Sequence, residues 1–290
     1  DMQQAADDPG HLHPIAATGP PELESVALDA EALRRGLVRE IDEARQARTG
    51  LAQDAPVANS LRSALMPPLI ELPAGVRLSG RMSSAEGVIA GDWWDVVECP
   101  HGRFAVVIGD VAGHGPAAGI MAMQVRTLLR AALASGAQPD AAVRLAHQAL
   151  QDSRTFATAI VIEIDVARGE LRWANAGHHP ALLIGSDGIS TSLEPTGPLL
   201  SGLEATWSSM QTSIRAGDAL FAFTDGLIEG TTLDGRSLDT EDLVIELLAI
   251  PAETRSEPAE TLERILASMR EKATDWSRDD ITLVAIAFTQ

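Results

Sequence analysis

One cysteine, Cys99, stands alone in the 290 residues. A single thiol excludes an intrachain disulfide and suits a reducing, cytoplasmic setting. Lysine is equally scarce: Lys272 is the only one, and arginine supplies the remaining positive charge. We read that bias as genomic base composition. Cations of both kinds are outnumbered, 22 Lys+Arg against 41 Asp+Glu, which leaves a formal charge of -19 at pH 7. A field of that sign disfavours nonspecific binding to nucleic acid or to anionic membranes. No apolar run approaches the length of a bilayer span and no signal peptide opens the chain, so no membrane segment is expected. The first residue is Asp1 rather than Met, as expected of a piece trimmed from something longer. There is no internal repeat. What is abundant is apolar: 45% of residues are hydrophobic, enough for a sizeable core in one large domain or two small ones.

Three stretches differ in character. Residues 1–21 carry Asp, Gly, Pro and Gln without pattern and are expected to be a mobile tail. Residues 22–66 change to Ala, Leu, Arg and Glu, a helix-forming mixture that should stop before Pro67-Pro68. Within it Leu33, Leu37, Ile41, Ala44 and Leu51 can share one stripe, interrupted by Arg48. Such a stripe fits a weak coiled-coil seam between two copies, and equally a helix packed on its own domain. Residues 67–290 alternate strands and helices. Strands are expected at 76–82, 93–98, 103–109, 221–224 and 281–288, and hairpins at 157–175 and 181–193. Helices are expected at 116–134, 139–152, 240–249 and 258–272. Hairpins with helices in blocks predict an α+β fold of largely antiparallel sheets.

Aspartates mark an end of each of four apolar runs. Asp92 follows Ile89-Ala90-Gly91, Asp110 ends Phe104 to Gly109, Asp225 ends Ala219 to Thr224, and Asp279-Asp280 precede Ile281 to Phe288. Taken singly, each is accounted for by a turn or a helix cap, because Asp bonds nearby backbone amides. Taken together, carboxylates at the ends of buried strands can converge at one sheet edge, where they repel unless a cation sits among them. An all-oxygen set without a cysteine or histidine cage favours magnesium or manganese.

Six collinear segments sharpen this. They are Leu61 to Pro67, Ala90-Gly91-Asp92-Trp93-Trp94-Asp95, Gly109-Asp110-Val111-Ala112-Gly113-His114-Gly115, Asn175-Ala176-Gly177-His178, Thr224-Asp225-Gly226-Leu227-Ile228-Glu229 and Asp279-Asp280-Ile281-Thr282. In this order they resemble the PPM-type (protein phosphatase 2C-like) metal-dependent serine/threonine phosphatases. The similarity is strongest to the bacterial branch of stage II sporulation protein E and the sigma-B regulator phosphatases. The resemblance implies a four-layer αββα sandwich over 67–290, two mainly antiparallel sheets flanked by helices, with 22–66 as a helical regulatory extension. It implies hydrolysis of phosphoserine or phosphothreonine at a centre of two Mn2+ or Mg2+ ions with a bridging hydroxide. By the same resemblance Asp110 bridges the two ions and Val111 offers its carbonyl. Asp92, Asp225 and Asp279 complete the catalytic carboxylates, and Asp280 stands second to Asp279. His114, Asp95 and His178 are candidates for positions behind the ligands, and both histidines read more readily as loop-holding residues. The implied substrate is a small anti-anti-sigma-type phosphoprotein. Two departures stand out: Ala90 where the family often has glycine, and Leu238-Asp239 where it has Phe-Gly.

Two other functions share part of this signal. A regulatory module could keep the fold and hold a phosphorylated partner without turnover. A metal-dependent nuclease would use the same carboxylates but conflicts with the charge of -19. Cys99 sits in an expected turn, away from bases that would favour its thiolate, so a cysteine nucleophile is not expected.

Overall fold

A computed structural model describes residues 63, 65–83, 91–113, 115–151, 155–232, 235–273 and 280–289, all within one unit spanning 58–290. The tail, nearly all of the helical extension, His114 and Asp279 lie outside the described residues.

Among the described residues ten strands form two antiparallel sheets. The first runs β1 (Val76–Ser83), β10 (Ile281–Phe288), β9 (Ala219–Phe223), β6 (Ala181–Ile184) and β7 (Ser190–Leu193). The second runs β2 (Trp93–Cys99), β3 (Arg103–Val111), β4 (Ala157–Asp165), β5 (Glu170–Ala176) and β8 (Met210–Ser213). Against the second sheet pack α1 (Pro116–Ala134) and α2 (Pro139–His147); against the first, α3 (Thr240–Ala249) and α4 (Pro258–Lys272). The order of layers is helix, sheet, sheet, helix, as the resemblance implied.

The layering follows from side chains that alternate across each strand. In β3, Phe104, Val106 and Ile108 enter the core between the sheets, while Ala105, Val107 and Val111 face α1 and α2. In β10, Val284, Ile286 and Phe288 face inward and Ile281, Leu283 and Ala285 meet α3 and α4. Both strands are buried on two faces, which is why they read as continuous apolar runs. Adjacent Trp93 and Trp94 split the same way, one under the helices and one between the sheets. Both are core.

Leu65 is buried in the core beneath α1, so the sandwich draws on a residue ahead of the Pro67 boundary. Cys99 ends β2 rather than lying in a turn; burial, with Glu163 nearby, pushes its thiol up to about 11. A thiolate is therefore scarce at neutral pH.

Candidate active site

The two sheets present strand ends at one shared edge, and register decides which residues meet there. Trp93 pairs with Gly109, so one step further sets Asp92 beside Asp110. Leu283 pairs with Phe223 in the other sheet, and one step further Thr224 faces Thr282, with Asp225 and Asp280 just beyond. Across the gap, the Thr224 hydroxyl donates to Asp92 Oδ2 at 2.6 Å. That hydrogen bond ties the edge of one sheet to the edge of the other.

Asp92 is buried, 3% exposed, whereas Asp110, Asp225 and Asp280 are partly exposed. Burial raises the Asp92 pKa well above the carboxylate range; the Thr224 hydrogen bond opposes this, and the negative charges of Asp110 and Asp280 reinforce it. The Thr282 side chain also lies beside this carboxylate and favours its charged form. Two of the other expected carboxylates, Asp110 and Asp280, thus lie within electrostatic reach of Asp92. Asp225 opens the turn 225–227, separated from the end of β9 by Thr224, its Oδ1 accepting from Gly226 N at 3.0 Å.

Two glycines set the spacing. A Cβ on Gly91 would collide with the Val111 carbonyl oxygen and touch Asp110 Oδ1, and one on Gly226 would collide with the Asp280 carbonyl oxygen. Gly91 O also accepts from Val111 N at 3.2 Å. Without side chains at these positions, main-chain carbonyls approach from the neighbouring segment. Beyond Val111, Gly115 precedes α1 with φ of 88°, a conformation that glycine adopts without strain.

The remaining expectations divide. Asp95 is not in the cluster: its buried carboxylate pairs with Arg126 at 3.0 Å and with Arg130, both from α1, and accepts from Val96 N. Three residues beyond Asp92 on a strand, it lies on the helix-facing side and anchors α1 to β2. Arg126 also donates to Met66 O at 3.1 Å, tying the residues before β1 to the same helix. His178 lies nearer the edge. Its Nδ1 is 2.7 Å from the hydroxyl of Thr158, the residue that pairs with Asp110 in the sheet. Asn175 Oδ1 accepts from His178 N at 2.8 Å, which folds the Asn-Ala-Gly-His segment into a loop. Burial, then the adjacent His179, pushes the ring's pKa down to about 3, so it is a neutral hydrogen-bonding group at physiological pH. Thr224 was missed in the sequence. Its signal was a hydroxyl placed between an aliphatic run and Asp225-Gly226.

The donors at this edge are carboxylate and carbonyl oxygens, the chemistry that suits a hard divalent cation. Among the described residues no three His, Cys, Asp or Glu side chains are grouped closely enough to hold a metal ion by themselves. Burial and two acidic neighbours penalise charge on Asp92, a penalty that a cation would relieve.

Known proteins carry related chains. Over 156 residues the sequence is 28% identical to the phosphoserine phosphatase RsbP of Bacillus subtilis, covering 51% of this chain and 39% of RsbP. It is 25% identical over 229 residues to protein IcfG of Synechocystis, covering 36% of that protein, so the chain spans well under half of these relatives. Among solved structures, the RsbU and RsbW domains of Rv1364c from Mycobacterium tuberculosis superpose with a TM-score of 0.65 at 27% identity. That match covers 77% of this chain and 63% of the other. The catalytic domain of the serine/threonine protein phosphatase PstP, crystallised with two manganese ions, matches with a TM-score of 0.54 at 18% identity. It covers 74% of this chain and 99% of the other, a likeness of fold. The profile of stage II sporulation protein E matches residues 100–289, which contain most of both sheets, helices α1 to α4 and every candidate carboxylate except Asp92 and Asp95. By that match, and with the αββα sandwich it accompanies, the chain belongs to the stage II sporulation protein E (SpoIIE) family.

Proposed function

We propose that this chain is a metal-dependent protein serine/threonine phosphatase. The observation that carries the reading is the meeting of Asp92, Asp110 and Asp280 at one edge of a SpoIIE-family sandwich, with Asp225 on the adjoining turn. Two Mn2+ or Mg2+ ions, roughly 3.5–4 Å apart in such sites, would lower the pKa of a water and neutralise the phosphoryl oxygens. Asp110, Asp92, Asp225 and Asp279 would hold them, together with the Val111 carbonyl; Asp280 would support Asp279. Partly exposed Asp110 and Asp225 face the solvent from which a phosphorylated side chain arrives, while buried Asp92 braces the site from beneath. The chain then orients the phosphoryl group and offsets its charge, the main demands of phosphoryl transfer. No side-chain nucleophile enters, in keeping with the raised pKa of Cys99.

The substrate class we propose is phosphoserine or phosphothreonine on a small anti-anti-sigma-type regulator, supported by the names of RsbP and of the RsbU–RsbW chain. Association through residues 22–65 would supply the regulatory input. Hydrolysis of an aryl phosphate should require Mn2+ or Mg2+ and fall at least about 100-fold in Asp110→Ala and Asp225→Ala, since each removes a ligand charge. Turnover undiminished in excess chelator would sink the reading. Binding of a phosphorylated regulator with no phosphate released would favour a holding module instead.

A further inference from the structure

Thr224 occupies an unusual junction. It is fully buried and directly follows β9, opposite Thr282 of β10. Thr224 N donates to Thr282 O at 3.0 Å, as an antiparallel rung requires. The returning bond does not go to the Thr224 carbonyl. Thr282 N donates instead to Thr224 Oγ1 at 2.9 Å, and the carbonyl accepts from Leu227 N at 3.2 Å. The hydroxyl therefore stands in for the main-chain acceptor of the last rung, and the carbonyl is released to close the turn that carries Asp225.

The same hydroxyl has one proton, and its direction follows. With a lone pair engaged by Thr282 N–H, the proton goes to Asp92 Oδ2, 2.6 Å away in the other sheet. One oxygen atom thus touches three of the segments that bear carboxylates: the Asp225 turn, the start of β10 just after Asp280, and Asp92 itself.

We propose that Thr224 is a positioning residue for cation uptake. Its hydroxyl fixes the Asp92 carboxylate by engaging Oδ2 and locks the two sheet edges at the spacing the site requires. This rests on the metal-site reading above. The chemistry is that of an outer hydrogen-bonding partner of a ligating carboxylate, whose loss typically costs about 10–100-fold in metal affinity.

The test is calorimetric titration of Mn2+ alone into the full chain and its variants, without substrate. Thr224→Val keeps the shape and removes the hydroxyl; it should bind Mn2+ at least about 10-fold more weakly. Thr224→Ser restores the hydroxyl and should bind within about twofold of the parent. Should the valine variant fail to fold, Thr224→Cys replaces it, since a thiol of similar size is a poor donor and acceptor. Valine or cysteine variants that bind as tightly as the parent would overturn the proposal, as would a serine variant as weak as they are. A parent chain that takes up no Mn2+ would overturn the metal-site reading with it, so the two failures are told apart by the parent titration.

Discussion

At Asp92 burial and charge pull against hydrogen bonding. The carboxylate is 3% exposed, its pKa is raised first by that burial, and Thr224 is the largest opposing influence. A group whose folded pKa lies above its unfolded value favours the fold below that unfolded value and penalises it as pH rises through the folded one. Ionised Asp92 is therefore a liability to the metal-free protein at neutral pH. Asp92→Asn keeps the outline and still accepts from Thr224, so the metal-free variant should melt higher. A gain of about 1 kcal/mol would appear as about 2–4 °C by calorimetry at pH 7 in chelator. An unchanged or lower melting temperature would show that the charge is tolerated without a counterion. The aspartates were legible because each punctuates an apolar run. Thr224 was not, because a threonine after a strand carries no sign of which segment its proton will meet.

Among the elements, α3 shows how a local signal becomes stability. Its cap, Asp239, accepts from Asp242 N while Asp242 accepts from Asp239 N, a reciprocal box. Arg236 closes on Asp242 with two bonds of 2.8 Å, and these first of all hold the Asp242 carboxyl down to about 2. A depressed carboxyl stabilises the fold above its unfolded pKa of about 4 and loses that contribution as pH falls towards 2. Arg236→Gln should therefore lower stability by a constant amount above about pH 5, a difference that shrinks as pH falls and is lost below about pH 2. Urea unfolding at several pH values would measure it, and a pH-independent difference would contradict the assignment. This box begins at Leu238-Asp239, the departure noted from the family's Phe-Gly. Here Leu238 is buried beside α3 and Asp239 starts the helix.

Helices α1, α3 and α4 were legible to the residue from their apolar periodicity and flanking prolines or caps. The short strand β8 (Met210–Ser213) was not. It is a mostly exposed edge strand without apolar alternation, held by pairing with β5. The ion pairs of Asp95 were not legible for a related reason. Its partners Arg126 and Arg130 lie on a helix some thirty residues away, and only packing brings them to it.

At the scale of the molecule, the sandwich gathers like charge at one edge of a chain that already carries -19. A ligand that binds only the folded state stabilises it in proportion to the logarithm of its concentration over Kd. Mn2+ at 100 times its Kd should add about 2.7 kcal/mol, a rise of several degrees in melting temperature. No rise at millimolar Mn2+ would mean that the cluster does not hold a cation. The antiparallel α+β character was legible from hairpins and blocked helices, and the αββα order only from the family resemblance. The pairing of the sheets at one edge was not, because contacts between residues as distant as Asp92 and Thr224 leave no local pattern.

Gly91 and Gly226 give this arrangement a second way to fail. Each yields the room of a single methyl group to a carbonyl oxygen from the facing segment, Val111 in one case and Asp280 in the other. A chain with alanine at either place would retain every acidic residue and still have its edge wedged open. Counting aspartates across a genome would score such a copy as competent. Inspecting two hydrogens, where a side chain would otherwise begin, would mark it as silent.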